Sequence, residues 1–141
     1  MPAGNDFDLV RVFTRAVNGA TAETALPFNA PFEVVLEAES GATLLASGAQ
    51  FGIGLVVRDL TTGANFLAAP SAGSNTPAVA ANANMASAAW PVQTVQFLYT
   101  VNAPGAATEG DFFEVLSSIR MGVNNPDVEF ATSPLFIMTR P

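Results

Sequence analysis

Twelve carboxylates and five arginines are the only strongly charged side chains among the 141 residues, and histidine, cysteine and lysine are absent. That inventory bounds the chemistry. A Ser–His or Cys–His nucleophile cannot be assembled, nor a zinc site of thiolates and imidazoles, nor a lysine Schiff base. Acid–base work is left to paired carboxylates. Asp6 and Asp8 alternate, as do Glu33, Glu37 and Glu39, so each set shares one face of an extended segment. Hydrolysis by such a pair needs two carboxyls facing each other across a cleft, and one strand face is not a cleft. Their expected role is a solvated face that protects a sheet edge from association. The chain therefore reads as a non-enzyme, with no catalytic residue and no cofactor.

Two other groups could bind ligands. Asn124, Asn125, Asp127 and Glu129 offer oxygen ligands within one loop, and calcium takes carboxylate, amide and carbonyl oxygens. Asn-Asn-Pro-Asp is also strong turn chemistry, and no loop of alternating aspartates is present. No metal site is expected, and Asn125, Asp127 and Glu129 are only weak candidates for calcium. Trp90, beside a long loop, is a candidate platform for a sugar ring. Tyr99 shares its strand face with Phe97 and Val101 and is assigned to the core. Asp59 precedes Thr61-Thr62-Gly63 and is expected to cap that turn.

The net charge of −7 would repel phosphate backbones and anionic lipid surfaces. Nucleic acid is excluded as a partner on that ground. No apolar run approaches the roughly 20 residues of a membrane-spanning helix, so membrane insertion is not expected. The opening MPAGNDFDLVRVF lacks the basic and apolar regions of a signal peptide. The expectation is a protein that works where it is made, or one whose export signal has been removed. Only 12% of residues are charged, about half the usual share. That composition leans toward extracellular, cell-surface or virion assemblies, and localisation stays open.

These side chains must be positioned by strands, because apolar residues recur mostly with period two between turn signals. Strands are predicted over Phe7–Thr14, Phe32–Ser40, Phe51–Leu60, Gln93–Val101, Phe112–Val123 and Pro134–Thr139, with a short return strand over Asn65–Ala68. Val34, Leu36, Ile53, Leu55, Val57, Phe97, Tyr99, Val115 and Ile119 are the predicted core. Ala69–Ala89 reads as a long loop with one edge strand; alanine would favour a helix over Val79–Ala89, but little there could dock it.

The order of long strands, hairpin and loop resembles the immunoglobulin-like and fibronectin-III-like superfamily. The likeness is a strand pattern spanning nearly the whole chain. It implies an all-β fold, an antiparallel β-sandwich of about seven strands, with residues 1–141 as a single domain. A jelly roll or C2-like sandwich is the alternative. The chain departs from antibody domains in lacking the disulfide cysteines. Phe113 stands at the tyrosine-corner position without a hydroxyl, and Trp90 is not on the third strand. The resemblance thus implies architecture and no functional residues.

Several strands are apolar on both faces, as Val35, Val56, Leu98, Phe112 and Leu116 show. In the immunoglobulin-like order the third, sixth and seventh strands adjoin in one sheet. Their outer face would carry Val56 and Arg58, then Phe112, Glu114 and Leu116. The last strand adds Phe136 and Met138, or Leu135 and Ile137 in the other phase; the first pair is the one adopted. Gly52 and Gly54 would let another backbone approach that face. Contiguous exposed apolar surface marks interaction sites. The expected function is a non-enzymatic structural or protein-binding module whose partner is a second copy of the chain. The alternative is a carbohydrate-binding or adhesive surface module, with calcium as an optional aid.

Overall fold

The computed structural model describes residues 2–65, 70–122 and 126–141. The chain is an all-β sandwich of two sheets. In chain order the elements are β1 Phe7–Ala16, β2 Ala25–Pro27, β3 Phe32–Ser40, helix α1 Ala42–Ser47, β4 Gln50–Asp59, β5 Ser71–Ala72, β6 Asn82–Asn84, β7 Thr94–Val101, a 3-10 turn at Ala106–Thr108, β8 Phe112–Met121, β9 Asp127–Thr132 and β10 Phe136–Thr139. Sheet I has the order β1-β3-β7-β5 and sheet II the order β2-β10-β8-β4-β6, with β9 also on β8. All pairings are antiparallel except the parallel contact of β2 with β10. With β1, β3, β7 and β5 as strands A, B, E and D, and β10, β8 and β4 as G, F and C, this is the immunoglobulin-like order.

Period-two alternation explains why the long strands are where the sequence places them. Phe32, Val34, Leu36 and Ala38 of β3 face Ile53, Leu55 and Val57 of β4 across a core that also takes Phe97, Tyr99, Val115 and Ile119, all buried. Two aromatic clusters fill it. Trp90 stands edge-on to Phe51 and Phe97, with centroids 5.2 and 5.5 Å away. Phe136 lies between Phe32 of sheet I and Phe113 of sheet II, at 5.4 and 5.7 Å.

Several expectations need correction. Between β3 and β4, where no strand is predicted, Ala42–Ser47 closes one short helix. Ala69–Ala89 contributes two edge strands, β5 and β6, rather than one. As expected, no helix forms over Val79–Ala89, where Ala80 and Ala86 adopt left-handed φ of 65° and 56°. The expected return strand over Asn65–Ala68 lies largely outside the described residues; Asn65 makes a bridge to Arg58. The strand β9 was not anticipated. Pro134 cannot donate to a ladder, so the final strand is broken there. Ser133 spans the break: its amide donates to the Val115 carbonyl and its Oγ accepts from the Val115 amide, both at 2.9 Å.

Candidate interaction surface

The outer face of sheet II is built in cross-strand rows. Arg58 pairs with Glu114, Val56 with Leu116, Gly54 with Ser118 and Gly52 with Arg120. On the far side of β8, Thr132 joins the Leu116 row, Phe130 the Ser118 row and Val128 the Arg120 row. Since Ile53, Leu55 and Val57 point into the core, their neighbours point out. Val56 is 41% exposed, Phe112 49% and Phe130 77%. Leu116 and Glu114 are half-buried among their neighbours. The segment before Trp90 does not lie over the centre of this face. Its β6 runs along the β4 edge beside Gln50 to Gly52, and the Ala80 amide donates to the Ile53 carbonyl at 2.8 Å.

A groove of about 350 Å³ crosses the face, with Gly52 and Gly54 in its floor and Ala80 and Phe130 on opposite walls. Both glycines lie directly under side chains of β8. A Cβ on Gly52 would stand 2.7 Å from Arg120 Nη2, and one on Gly54 would overlap the Ser118 hydroxyl. Arg120 lies along the face at that end; its guanidinium donates to Asn82 Oδ1 and, at 2.9 Å, to the Gly122 carbonyl.

Of the residues expected on this surface, Val56, Arg58, Phe112, Glu114 and Leu116 are brought together. Phe136 and Met138 are not. Both are 1% exposed and face the core. The break at Ser133-Pro134 shifts the alternation by one residue, so Leu135 turns outward instead, 51% exposed. Val128 and Phe130 were missed because β9 was missed.

Trp90 is also corrected. It is fully buried, packed on Phe51 and Phe97, and its indole N–H donates to the Gln93 carbonyl at 3.4 Å. It offers no face to a sugar. Tyr99 is buried as expected, and its hydroxyl donates to the Pro77 carbonyl at 2.7 Å. Burial pushes that phenol well above its ordinary pKa, which keeps it a neutral donor. Of the weak calcium candidates, Asn125 lies outside the described residues. Asp127 and Glu129 sit on β9 opposite Met121 and Ile119. Among the described residues no three carboxylates gather as a metal cluster.

Of the alternating carboxylates, Glu33 and Glu37 are ion-paired rather than merely solvated, and β3 is interior to its sheet rather than an edge. Glu37 accepts from Arg11 Nε at 3.0 Å and from Gln96 at 3.1 Å. Glu33 accepts from Arg15 Nε and from the Asn18 amide, each at 3.0 Å. Arg11 also lies 4.3 Å over the Phe13 ring, a cation–π contact.

One carboxylate pair was not foreseen. Asp59 caps its turn as expected, accepting from the Thr61 and Thr62 amides at 2.9 and 3.1 Å. It also shares a hydrogen bond with Asp111. Burial alone would raise the Asp59 carboxyl, but that bond and the turn amides outweigh it and hold the group below the ordinary range. Asp111 is raised, first by the shared hydrogen bond, then by burial and by the Asp59 charge. The signs oppose. Asp59 contributes stability above its unfolded pKa that is lost as pH falls through its lowered folded value. Asp111 contributes stability at low pH that is lost as pH rises through its raised folded value. Asp111→Asn keeps a donor for Asp59 and removes the second charge. Thermal melts from about pH 3 to about pH 8 should show the variant more stable than wild type at neutral pH, with the advantage shrinking in acid. A variant less stable at neutral pH would contradict this.

Compared with known proteins, the chain matches no family model and no curated protein. Among solved structures it is similar to AggA, the major subunit of aggregative adherence fimbriae type I from Escherichia coli. The identity is 9%, the TM-score 0.49, and the match covers 94% of this chain and 98% of that one.

Proposed function

We propose that this β-sandwich is a non-enzymatic structural module that associates with copies of itself through the outer face of sheet II. The observation that supports this reading is the exposed apolar surface of Val56, Phe112, Val128, Phe130 and Leu135 on one sheet face. The sandwich already has a filled core on the opposite face, so folding does not require those side chains to be apolar. Exposed patches of this kind mark association surfaces. The lack of histidine, cysteine and lysine points the same way.

Sedimentation equilibrium tests the reading. The expected result is a mass that rises with concentration above the 14.6 kDa of one chain. A chain that remains at that mass into the range of about 0.1 mM, where even weak complexes populate, would overturn it. Charge predicts the pH response. With −7 on each copy, association works against repulsion near neutrality. The sequence pI is about 4.2, so association should be stronger near about pH 4–5 than at about pH 8. With no histidine present, no sharp switch is expected between about pH 6 and 7. Light scattering that stays flat over the acid range would count against the charge argument.

A further inference from the structure

The geometry points to a two-fold pair in which the outer faces of sheet II meet, each Phe130 ring seated in the other copy's groove and each Arg58 facing the other copy's Glu114. This pairing rests on the self-association reading above and specifies its partner, a second copy, and its symmetry. An isologous contact requires a face complementary to itself. An axis in the interface plane, parallel to the strands and midway between β4 and β8, exchanges those two strands. Each residue then faces the copy's cross-strand neighbour.

The rows of this face suit that exchange. Val56 meets Leu116, apolar on apolar, and Arg58 meets Glu114. Arg120 falls opposite Gly52 and Ser118 opposite Gly54. Phe112 meets Leu60, which is 40% exposed and whose amide bonds the Phe112 carbonyl at 2.8 Å. Phe130 lies one strand beyond Ser118. The exchange carries it one strand beyond Gly54, to the Ala80 side of the groove. Packed sheets cross at about 30°, so the match is tightest near the central rows.

The charges supply an independent argument. Of the five arginines, Arg11, Arg15 and Arg140 pair with Glu37, Glu33 and Glu109, and Arg120 is held by Asn82 and Gly122. Arg58 is exposed. Although it stands beside Glu114 in the ladder, neither side chain forms an ion pair among the described residues. The two-fold contact gives both a partner, twice per dimer.

Three variants test the pairing by sedimentation, one partner in each mixture carrying a fluorophore. Phe130→Ala should weaken association about 100-fold, because two rings leave their grooves at about tenfold each or more. Arg58→Glu and Glu114→Arg should each weaken it about tenfold or more, since like charges then face each other at both contacts. An equimolar mixture of these two variants should recover near wild-type affinity, because a mixed pair has opposite charges at both contacts. Circular dichroism verifies that each variant is folded. If wild type stays monomeric, the self-association reading fails and the pairing with it. If wild type associates and Leu116→Glu does not, the face stands. A charge mixture no tighter than its components, or an unchanged Phe130→Ala, then overturns the two-fold pairing alone.

Discussion

Trp90→Ala is expected to cost roughly 3–5 kcal/mol of folding stability, the range for truncating a large buried aromatic residue. Trp90 has no accessible surface and closes one end of the core, edge-on to Phe51 and Phe97. Phe51 and Phe97 are themselves in contact at 5.8 Å, so the three rings act as one packed unit. Removing the indole leaves a void that Phe51, from sheet II, and Phe97, from sheet I, cannot both fill without shifting the sheets. The lost ring–ring contacts add to the lost transfer energy. Domains of this kind have only about 5–15 kcal/mol in total, so the variant should unfold at much lower denaturant. Trp90 is the single tryptophan, so the transition must be followed by far-ultraviolet circular dichroism rather than fluorescence. A loss under about 1 kcal/mol would mean the ring is not in the core. The same experiment separates a core tryptophan from a sugar platform, whose truncation would leave folding nearly unchanged.

Leu116→Glu should leave the domain folded and abolish its association. Leu116 is half-buried between Val56 and Thr132 on the outer face, and its chain neighbours Val115 and Ser117 are the ones that point inward. In the isolated chain the new carboxylate can reach water, so the folding cost should be modest, within about 1 kcal/mol. In a two-fold contact the substitution occurs twice. Each copy loses the roughly 1.5–3 kcal/mol of burying a leucine and must also desolvate a charge beside Glu114. The combined loss exceeds about 3 kcal/mol, a weakening of about 100-fold or more. The two measurements belong on the same sample, a denaturation curve and a sedimentation isotherm. Unchanged association would remove this face as the interface, and an unfolded variant would mean that Leu116 is a core residue.

The long strands and most of the core follow from local alternation alone. In β3, β4 and β7 the inward apolar residues alternate without interruption, in β8 only Ser117 breaks the row, and alternation maps directly onto the two sides of a pleated strand. That is why Val34, Leu55, Phe97 and Val115 could be assigned inward, and Val56 and Leu116 outward. The strand order resembling immunoglobulin-like folds was legible at the same level, from the number and spacing of those strands.

Where local pattern stops discriminating, long-range packing sets the outcome. Leu135-Phe136-Ile137-Met138 is apolar at every position, so alternation could not choose a phase. The break at Ser133-Pro134, held by Val115, turned Phe136 and Met138 inward. The edge strands β5 and β6 carry Ser, Ala and Asn, residues with no strand signal, and exist because β7 and β4 present unpaired backbone to them. Trp90 sits in a segment without periodicity, and its burial depends on Phe51 and Phe97 converging from two sheets. Glu33 and Glu37 looked solvated until β1 brought Arg15 and Arg11 beside them. Asp59 and Asp111 are far apart in the chain and meet only because β8 begins where β4 ends. The groove between Ala80 and Phe130 likewise draws on residues from distant segments. Periodicity reports which side of a strand a residue faces; long-range pairing decides what stands opposite it, and the proposed interface depends on both.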